Sequence, residues 1–148
     1  MNDYEMLSKA FKLSCRAHET QRDKAGQPYI YHPVMVALQC DTVEEKVVAL
    51  LHDSVEDKGL TFDDIRESGF SEDIIDSVRL LTHEFPKDDE YDRHYREYIK
   101  ALYESGDQTA INVKIADLTH NTDLSRLGGR KSSGYDRYIW AIEYLKGN

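Results

Sequence analysis

Apolar residues recur at helical spacing along almost the whole of this chain, and no stretch keeps the alternation of a half-buried strand. The clearest case is Thr42-Val43-Glu44-Glu45, which has the pattern of a capping box and predicts a helix that runs to about Asp57. Gly59 follows as the expected stop signal of that helix. The sequence therefore predicts an all-α fold, a helical bundle with irregular connections.

Other helices are predicted from caps and from the same spacing. A second capping-box pattern at Thr61 to Asp64 opens a short helix that ends near Gly69, and Ser71 caps the helix after it. A further helix is predicted to begin near His32, and apolar spacing places the rest over 7–18, 91–102, 111–122 and 138–145. We find no internal repeat or linker, so residues 1–148 are predicted to form a single domain.

Composition and charge limit the functions that this chain can have. Of its 148 residues, 40% are hydrophobic and 32% are charged, which is typical of a globular domain. The net charge of -9 argues against a nucleic-acid duplex as partner, but it leaves room for a small phosphorylated ligand. With no signal-peptide pattern after Met1 and no membrane-spanning run, the sequence predicts a cytoplasmic protein. Cys15 and Cys40 fit no disulfide framework, so we expect both to be buried and reduced.

Four places in the helical pattern differ from ordinary core or surface, and three of them have an ordinary interpretation when they are taken alone. His52-Asp53 follows an apolar run, where a histidine would interact with the helix dipole. His32 could be a hydrogen-bonded structural histidine, and Glu56-Asp57 could be a solvated helix end. Asp117 interrupts a good helix-forming segment, where a carboxylate needs a partner.

Together these residues favour a metal site. Imidazole and carboxylate ligands suit Mn, Fe, Zn or Co, and two histidines with two aspartates leave coordination positions for water and substrate. Glu56 lies one turn beyond His52, and Asp57 lies one turn beyond Asp53. Asn121 lies one turn beyond Asp117, and Lys114 lies three residues before Asp117 on the same helical face. A lysine on this face is predicted to meet a phosphate.

The surrounding motifs resemble the HD-domain metal-dependent phosphohydrolases, a superfamily named for an adjacent His-Asp pair such as His52-Asp53. Four segments resemble the RelA/SpoT-type alarmone hydrolase branch: 17–21, 24–33, 49–57 and 113–121. The resemblance covers about residues 10–126, most of the chain. It implies a single HD-type domain over residues 1–148.

The resemblance also implies roles. The metal ligands would be His32, His52, Asp53 and Asp117, and the metal would be one Mn²⁺, with Fe, Co, Zn or Mg as alternatives. Glu56 and Asp57 would position and deprotonate the attacking water. The substrate would be the guanosine alarmone (p)ppGpp, which loses its 3′-diphosphate. Substrate contacts are expected from Arg22, Lys24, Lys114 and Asn121.

One position departs from the pattern of the branch and leaves the substrate open. The family usually has an arginine before the lysine of this loop, where it packs on guanine, but this chain has Asp23 with Arg22 one position earlier. An aspartate cannot stack as a guanidinium does. The alternatives are therefore a hydrolase of another nucleotide or phosphate monoester, and a non-catalytic module that binds metal or nucleotide. The sequence leaves the oligomeric state open, a homo-oligomer included.

Two histidines lie outside this set. His83 and His94 fall in a polar segment between two helical patterns, so both are predicted to be surface histidines. A loop of this kind would help to select the substrate if it lies beside the cleft.

Overall fold

The computed structural model describes residues 1–57 and 59–148, with Leu127 described by its backbone alone. Apart from one isolated bridge between Arg22 and Pro28, the described residues form no β-structure, and the all-α prediction is confirmed. The helices are α1 (Asp3–Ala17), α2 (Tyr31–Leu38), α3 (Val43–Glu56), α4 (Phe62–Glu67), α5 (Glu72–Leu81), α6 (Tyr91–Ser105), α7 (Gln108–Asn121) and α8 (Tyr135–Leu145), with a 3₁₀ turn at Leu124–Leu127.

The predicted helix starts are confirmed by their caps. Thr42 and Glu45 form a capping box in which each side chain accepts a backbone hydrogen bond of the other, and Thr61 and Asp64 do the same before α4. The side chain of Ser71 accepts from the third residue of α5. Each cap satisfies backbone N–H groups that a helix leaves without partners at its start.

Helix α3 is the centre of the bundle, since α1, α2, α5 and α7 all pack against it. Val47, Val48, Ala49 and Leu51 are fully buried on it. A helix surrounded in this way has little solvent face, so His52, Asp53 and Ser54 in its last turns are buried although they are polar. This packing is what encloses the histidine and the carboxylate that follow Leu51.

A buried polar contact fixes α3 against α7. Glu45 is only 6% exposed, and its carboxylate accepts from the backbone of Asp41 and Thr42 and from the side chain of Asn112 on α7. Burial opposes the charge, but these hydrogen bonds outweigh it and lower the pKa of Glu45. The two helices that carry most of the functional side chains are therefore held in one register.

Two smaller observations complete the fold. Both cysteines are free; Cys40 is buried as predicted, whereas Cys15 is partly exposed because its side of α1 is only partly covered. Among residues 1–57 and 59–148, no helix is both long and apolar enough to cross a membrane.

The close approach of Gly59 to α1 gives a prediction about stability. A Cβ at Gly59 would lie 2.8 Å from the Cβ of Ala17 and 3.1 Å from its backbone oxygen. Because the backbone of α1 cannot give way as a side-chain end can, we expect Gly59→Ala to lower the free energy of unfolding by about 1–3 kcal/mol. Denaturant unfolding measures the change.

The control is the double variant Gly59→Ala, Ala17→Gly, which removes the nearer of the two clashing atoms. Its free energy of unfolding should be higher than the value obtained by adding the effects of the two single substitutions. Strict additivity would contradict this close approach.

Candidate metal centre and catalytic cleft

Three helices bring His32, Asp53 and Asp117 to one place. His32 lies in the first turn of α2, Asp53 in the last turn of α3 and Asp117 near the end of α7. One ligand atom from each lies within 4.8 Å of the others, and all three residues are buried. His32 Nε2 is 2.7 Å from Asp117 Oδ1 and 3.6 Å from Asp53 Oδ2. This buried His/Asp group has the donor atoms and the spacing to hold a metal ion.

His52 lies beside this group, and its ring has one nitrogen without a partner. Nδ1 lies 3.0 Å from the carbonyl oxygen of Ala49, to which it donates a hydrogen bond. Nδ1 therefore carries a proton, which leaves Nε2 as the ring nitrogen that could bind a cation. Nε2 is 3.0 Å from Asp53 Oδ1 but makes no hydrogen bond, although it is buried. A buried polar atom without a partner is costly, and a cation between this nitrogen and the carboxylates would supply one.

The residues of the metal group are held from outside by other polar side chains. The hydroxyl of Tyr29 donates to Asp53 Oδ2 at 2.8 Å. The ring of His120 stacks on that of His32, and their Nδ1 atoms are 2.6 Å apart. Such outer contacts fix the orientation of ligand side chains. Sequence reasoning missed Tyr29 and His120, although His120 lies three residues after Asp117, a spacing that puts both on one helical face.

Lys114 is buried and contacts a residue of the metal group. It is 8% exposed, and its Nζ lies 3.1 Å from Asp117 Oδ2. Burial opposes the charge of Asp117, but Lys114, His32 and His52 together outweigh burial and hold the pKa of Asp117 well below its usual range. Lys114 also lines the cleft described next. Its predicted contact with the substrate stays a prediction.

A cleft of about 610 Å³ opens over the metal group and is lined by both residues predicted to act on water. Burial raises the pKa of Glu56 to about 7, although its side chain is still 28% exposed. Asp57 is more exposed and accepts a hydrogen bond from Gln21 Nε2 at 3.2 Å. Burial also raises the pKa of Asp57. A carboxyl group whose pKa lies near neutrality is suited to accept a proton during a reaction.

The prediction that His83 is a surface histidine is wrong. Its side chain is 20% exposed, lines the cleft and has its Nε2 3.3 Å from Glu56 Oε1. The reason is that the segment after α5 folds back over the cleft, where Phe85 and Tyr98 cover the ring. His94 is also half-buried, against Phe85. The polar segment itself does not indicate this fold-back, and the available signal was the helical spacing of Tyr91, Tyr95 and Tyr98 on α6.

A second cavity, of about 730 Å³, adjoins the first on the side of the 21–27 loop. Both cavities are lined by Tyr29, His32, Asn121 and Tyr138, so they meet at the metal group. The residues predicted to contact the substrate therefore line different cavities. Lys114 lines the first cavity alone, Asn121 lines both, and Arg22 and Lys24 line the second.

Asp23 has a structural role within its own loop. Its Oδ1 accepts from the backbone N–H groups of Ala25 and Gln27, both at 2.9 Å. The guanidinium of Arg22 donates to the carbonyl oxygen of Gly26 at 3.0 Å. Both side chains line the second cavity while they stabilise the turn. The aspartate that departs from the family pattern is thus part of the loop and of the cavity wall.

Comparison with known proteins gives several relatives. The bifunctional (p)ppGpp synthase/hydrolase SpoT of Escherichia coli is 35% identical over 126 residues, which is 78% of this chain and 17% of that protein. The guanosine-3′,5′-bis(diphosphate) 3′-pyrophosphohydrolase of Aquifex aeolicus is 32% identical over 123 residues, 79% of this chain and 17% of that protein. A GTP pyrophosphokinase of Myxococcus xanthus is 32% identical over 131 residues, 80% of this chain and 17% of its own length. No protein-family model matches the chain.

An all-helical bundle that encloses a His/Asp group below an open cleft defines the class, a helical domain of the HD type. The relatives identify the family within that class. The chain belongs to the RelA/SpoT-type HD-domain family, as its resemblance predicted. It spans about a sixth of the length of the relatives that it matches.

Proposed function

We propose that this protein is a metal-dependent phosphohydrolase whose single divalent ion is held by His32, His52, Asp53 and Asp117. The observation that carries the proposal is the unpartnered Nε2 of His52, which is buried 3.0 Å from Asp53 Oδ1, beside the group formed by His32, Asp53 and Asp117. A charged or polar group without a partner in such a place is explained if a cation completes the site. We infer Mn²⁺ as the metal, with Fe, Co, Zn or Mg as alternatives, because mixed imidazole and carboxylate ligands suit these ions.

The chemistry divides between the ion and the residues of the cleft. When it is bound, a divalent ion in this site supplies Lewis-acid activation of water and of a phosphoryl oxygen. Glu56 accepts the proton of the attacking water, and Asp57 orients that water from the next position of the chain. Tyr29 keeps Asp53 in place through its hydrogen bond. Lys114 offsets the negative charge that the carboxylates and a phosphate would bring together.

The substrate that we propose is (p)ppGpp, from which the 3′-diphosphate is removed. Two relatives bear the names of enzymes that hydrolyse this nucleotide, which supports the proposal. The two cavities that meet at His32 have room for the phosphates on one side and for the rest of the nucleotide on the other. Arg22, Lys24 and Asn121 would contact the nucleotide in the second cavity.

A second candidate is a hydrolase of a different nucleotide or of a phosphate monoester. Asp23 favours it, because a carboxylate stands where an arginine would stack on guanine. A non-catalytic binding module is a weaker alternative, since Glu56 and Asp57 both line the cleft and binding alone has no use for a water-activating pair.

The experiment that tests the function is hydrolysis by the metal-free protein with Mn²⁺ added, on ppGpp, on a panel of ordinary nucleotides and on a generic phosphate ester. We expect release of pyrophosphate from ppGpp. Turnover of the other compounds alone would favour the second candidate. No turnover of any compound, with the ion bound, would favour the binding module.

The role of Asp23 is tested by two substitutions. If this carboxylate decides the substrate, Asp23→Arg should raise the rate on ppGpp relative to the rates on the other nucleotides. Asp23→Asn is the matched control, because it keeps the Oδ1 acceptor for Ala25 and Gln27 and removes only the charge. Identical substrate profiles for all three proteins would remove Asp23 from substrate selection.

The pH dependence follows from the pKa of Glu56, which burial raises to about 7. A general base acts in its charged form, which predominates above that pH and is lost below it. We therefore expect kcat/KM to rise with pH up to about 7 and to fall about tenfold for each lower pH step of one. A pH–rate profile measures this limb, and Glu56→Gln should remove it. A limb that persists unchanged in Glu56→Gln would belong to another group.

A further inference from the structure

His83 and Glu56 meet at a part of the cleft wall that the second cavity does not share. The backbone N–H of His83 donates to Glu56 Oε1 at 3.3 Å, and the ring Nε2 lies 3.3 Å from the same oxygen. One residue thus approaches one carboxylate oxygen from two directions. A small rotation of the Glu56 carboxylate would turn the second contact into a hydrogen bond, since hydrogen bonds in an empty catalytic site are often long and tighten when substrate binds.

The ring of His83 cannot move freely, because aromatic side chains cover it. Its centroid is 4.5 Å from that of Phe85, with the rings nearly parallel, and 4.5 Å from that of Tyr98. Tyr95 meets its edge at 6.3 Å. The hydroxyl of Tyr98 donates to the carbonyl oxygen of Leu81, which fixes that ring to the end of α5. A side chain locked by packing can hold a neighbour in one orientation.

We propose that His83 is a positioning residue for Glu56, which it holds toward the cleft so that the carboxylate meets the attacking water in one orientation. This inference rests on the proposed phosphohydrolase function and adds a residue to it. Burial, together with Lys114, lowers the pKa of His83 to about 4, so the ring is neutral at pH 7, and the tautomer with its proton on Nε2 can donate to Glu56. Its effect is therefore on the orientation and charge of Glu56.

Other charged and titratable groups also act on Glu56, and they come from three helices. Asp53 and His52 lie on its own helix α3, Lys114 on α7 and Tyr98 on α6. Substitution of His83 leaves all four in place. A change in Glu56 that follows loss of the imidazole then reports on the imidazole itself.

The test compares three variants. His83→Leu removes the imidazole donor and keeps the backbone N–H, whereas His83→Gln keeps a side-chain N–H at the position of Nε2. His94→Leu is the matched control, since the ring of His94 also packs on Phe85, with the ring centroids 5.9 Å apart. We expect His83→Leu to lower kcat by about tenfold with KM changed less than about twofold. The acidic limb of its pH profile should move up by about 1, because a charged carboxylate loses a donor. His83→Gln should restore most of both, and His94→Leu should change neither.

A measurement without turnover separates this inference from the proposed function. The carboxyl carbon of Glu56 can be titrated by ¹³C NMR, with Glu56→Gln to assign its signal. The inference predicts a higher pKa of Glu56 in His83→Leu than in the original protein, even if no tested compound is hydrolysed. The same Glu56 pKa in both proteins, or equal losses of kcat in His83→Leu and His94→Leu, would overturn it.

Discussion

Replacing Asp53 by alanine is expected to abolish binding of the divalent metal and to lower the phosphohydrolase rate by more than about 100-fold. Loss of a residue that only supports a metal ligand costs about 10- to 100-fold, so loss of a proposed ligand should cost more. Asp53 is also the acceptor of the Tyr29 hydroxyl and lies 3.0 Å from His52 Nε2. Its removal would therefore leave two further polar groups of the site without their contact.

Calorimetric titration with Mn²⁺ measures the loss of binding, and far-UV circular dichroism shows whether the helices persist. We expect helical content to be kept, because α3 is held by the apolar residues that precede Asp53. Asp76→Ala, on the exposed side of α5, is the control for removing an aspartate elsewhere on a helix. Full metal occupancy in Asp53→Ala would show that the ligand assignment is wrong.

The second large effect is expected for Glu56→Gln. This change keeps the size of the side chain and removes its ability to accept a proton, so kcat should fall by about 10²- to 10⁴-fold, as for a lost general base. Metal binding should stay unchanged, because Glu56 is not among the proposed ligands. The two variants thus separate holding the ion from activating the water.

The measurement for Glu56→Gln is kcat at saturating substrate, with Mn²⁺ affinity determined in parallel. Glu104→Gln, on the exposed surface of α6, is the matched control and should retain full activity. If Glu56→Gln turned over at the original rate, the proton would have to go to another group, and Asp57 would be the next candidate.

Local signals were sufficient for much of the fold. The capping boxes at Thr42 and Thr61 are short-range hydrogen-bond patterns that a sequence states directly, and the structure confirms both. The end of α3 was also predicted from local signals. The helix ends at Glu56 with Asp57 as its cap, one residue from the predicted limit. Nothing in these patterns says which helices pack together. The only sequence signal for the central position of α3 was its uninterrupted run of apolar residues.

The site depended on a different kind of information. His32 and Asp117 are in contact although 85 residues separate them, and no helical spacing relates two residues so far apart. The family motifs placed them together in the prediction, and the structure brings His32, Asp53 and Asp117 within reach of one ion. Tyr29 and His83 were missed because their roles arise from how two loops fold over the ends of helices. Such contacts depend on tertiary packing, which neither periodicity nor composition reports.

The most direct test of the account is a Mn²⁺ titration of the metal-free protein in which ion binding and pyrophosphate release from ppGpp are followed together. The account predicts no turnover without metal, and activity that rises with occupancy and saturates at about one ion per chain. Full activity in the presence of a chelator, or saturation of the site with no hydrolysis of ppGpp or of any other phosphate compound, would contradict it.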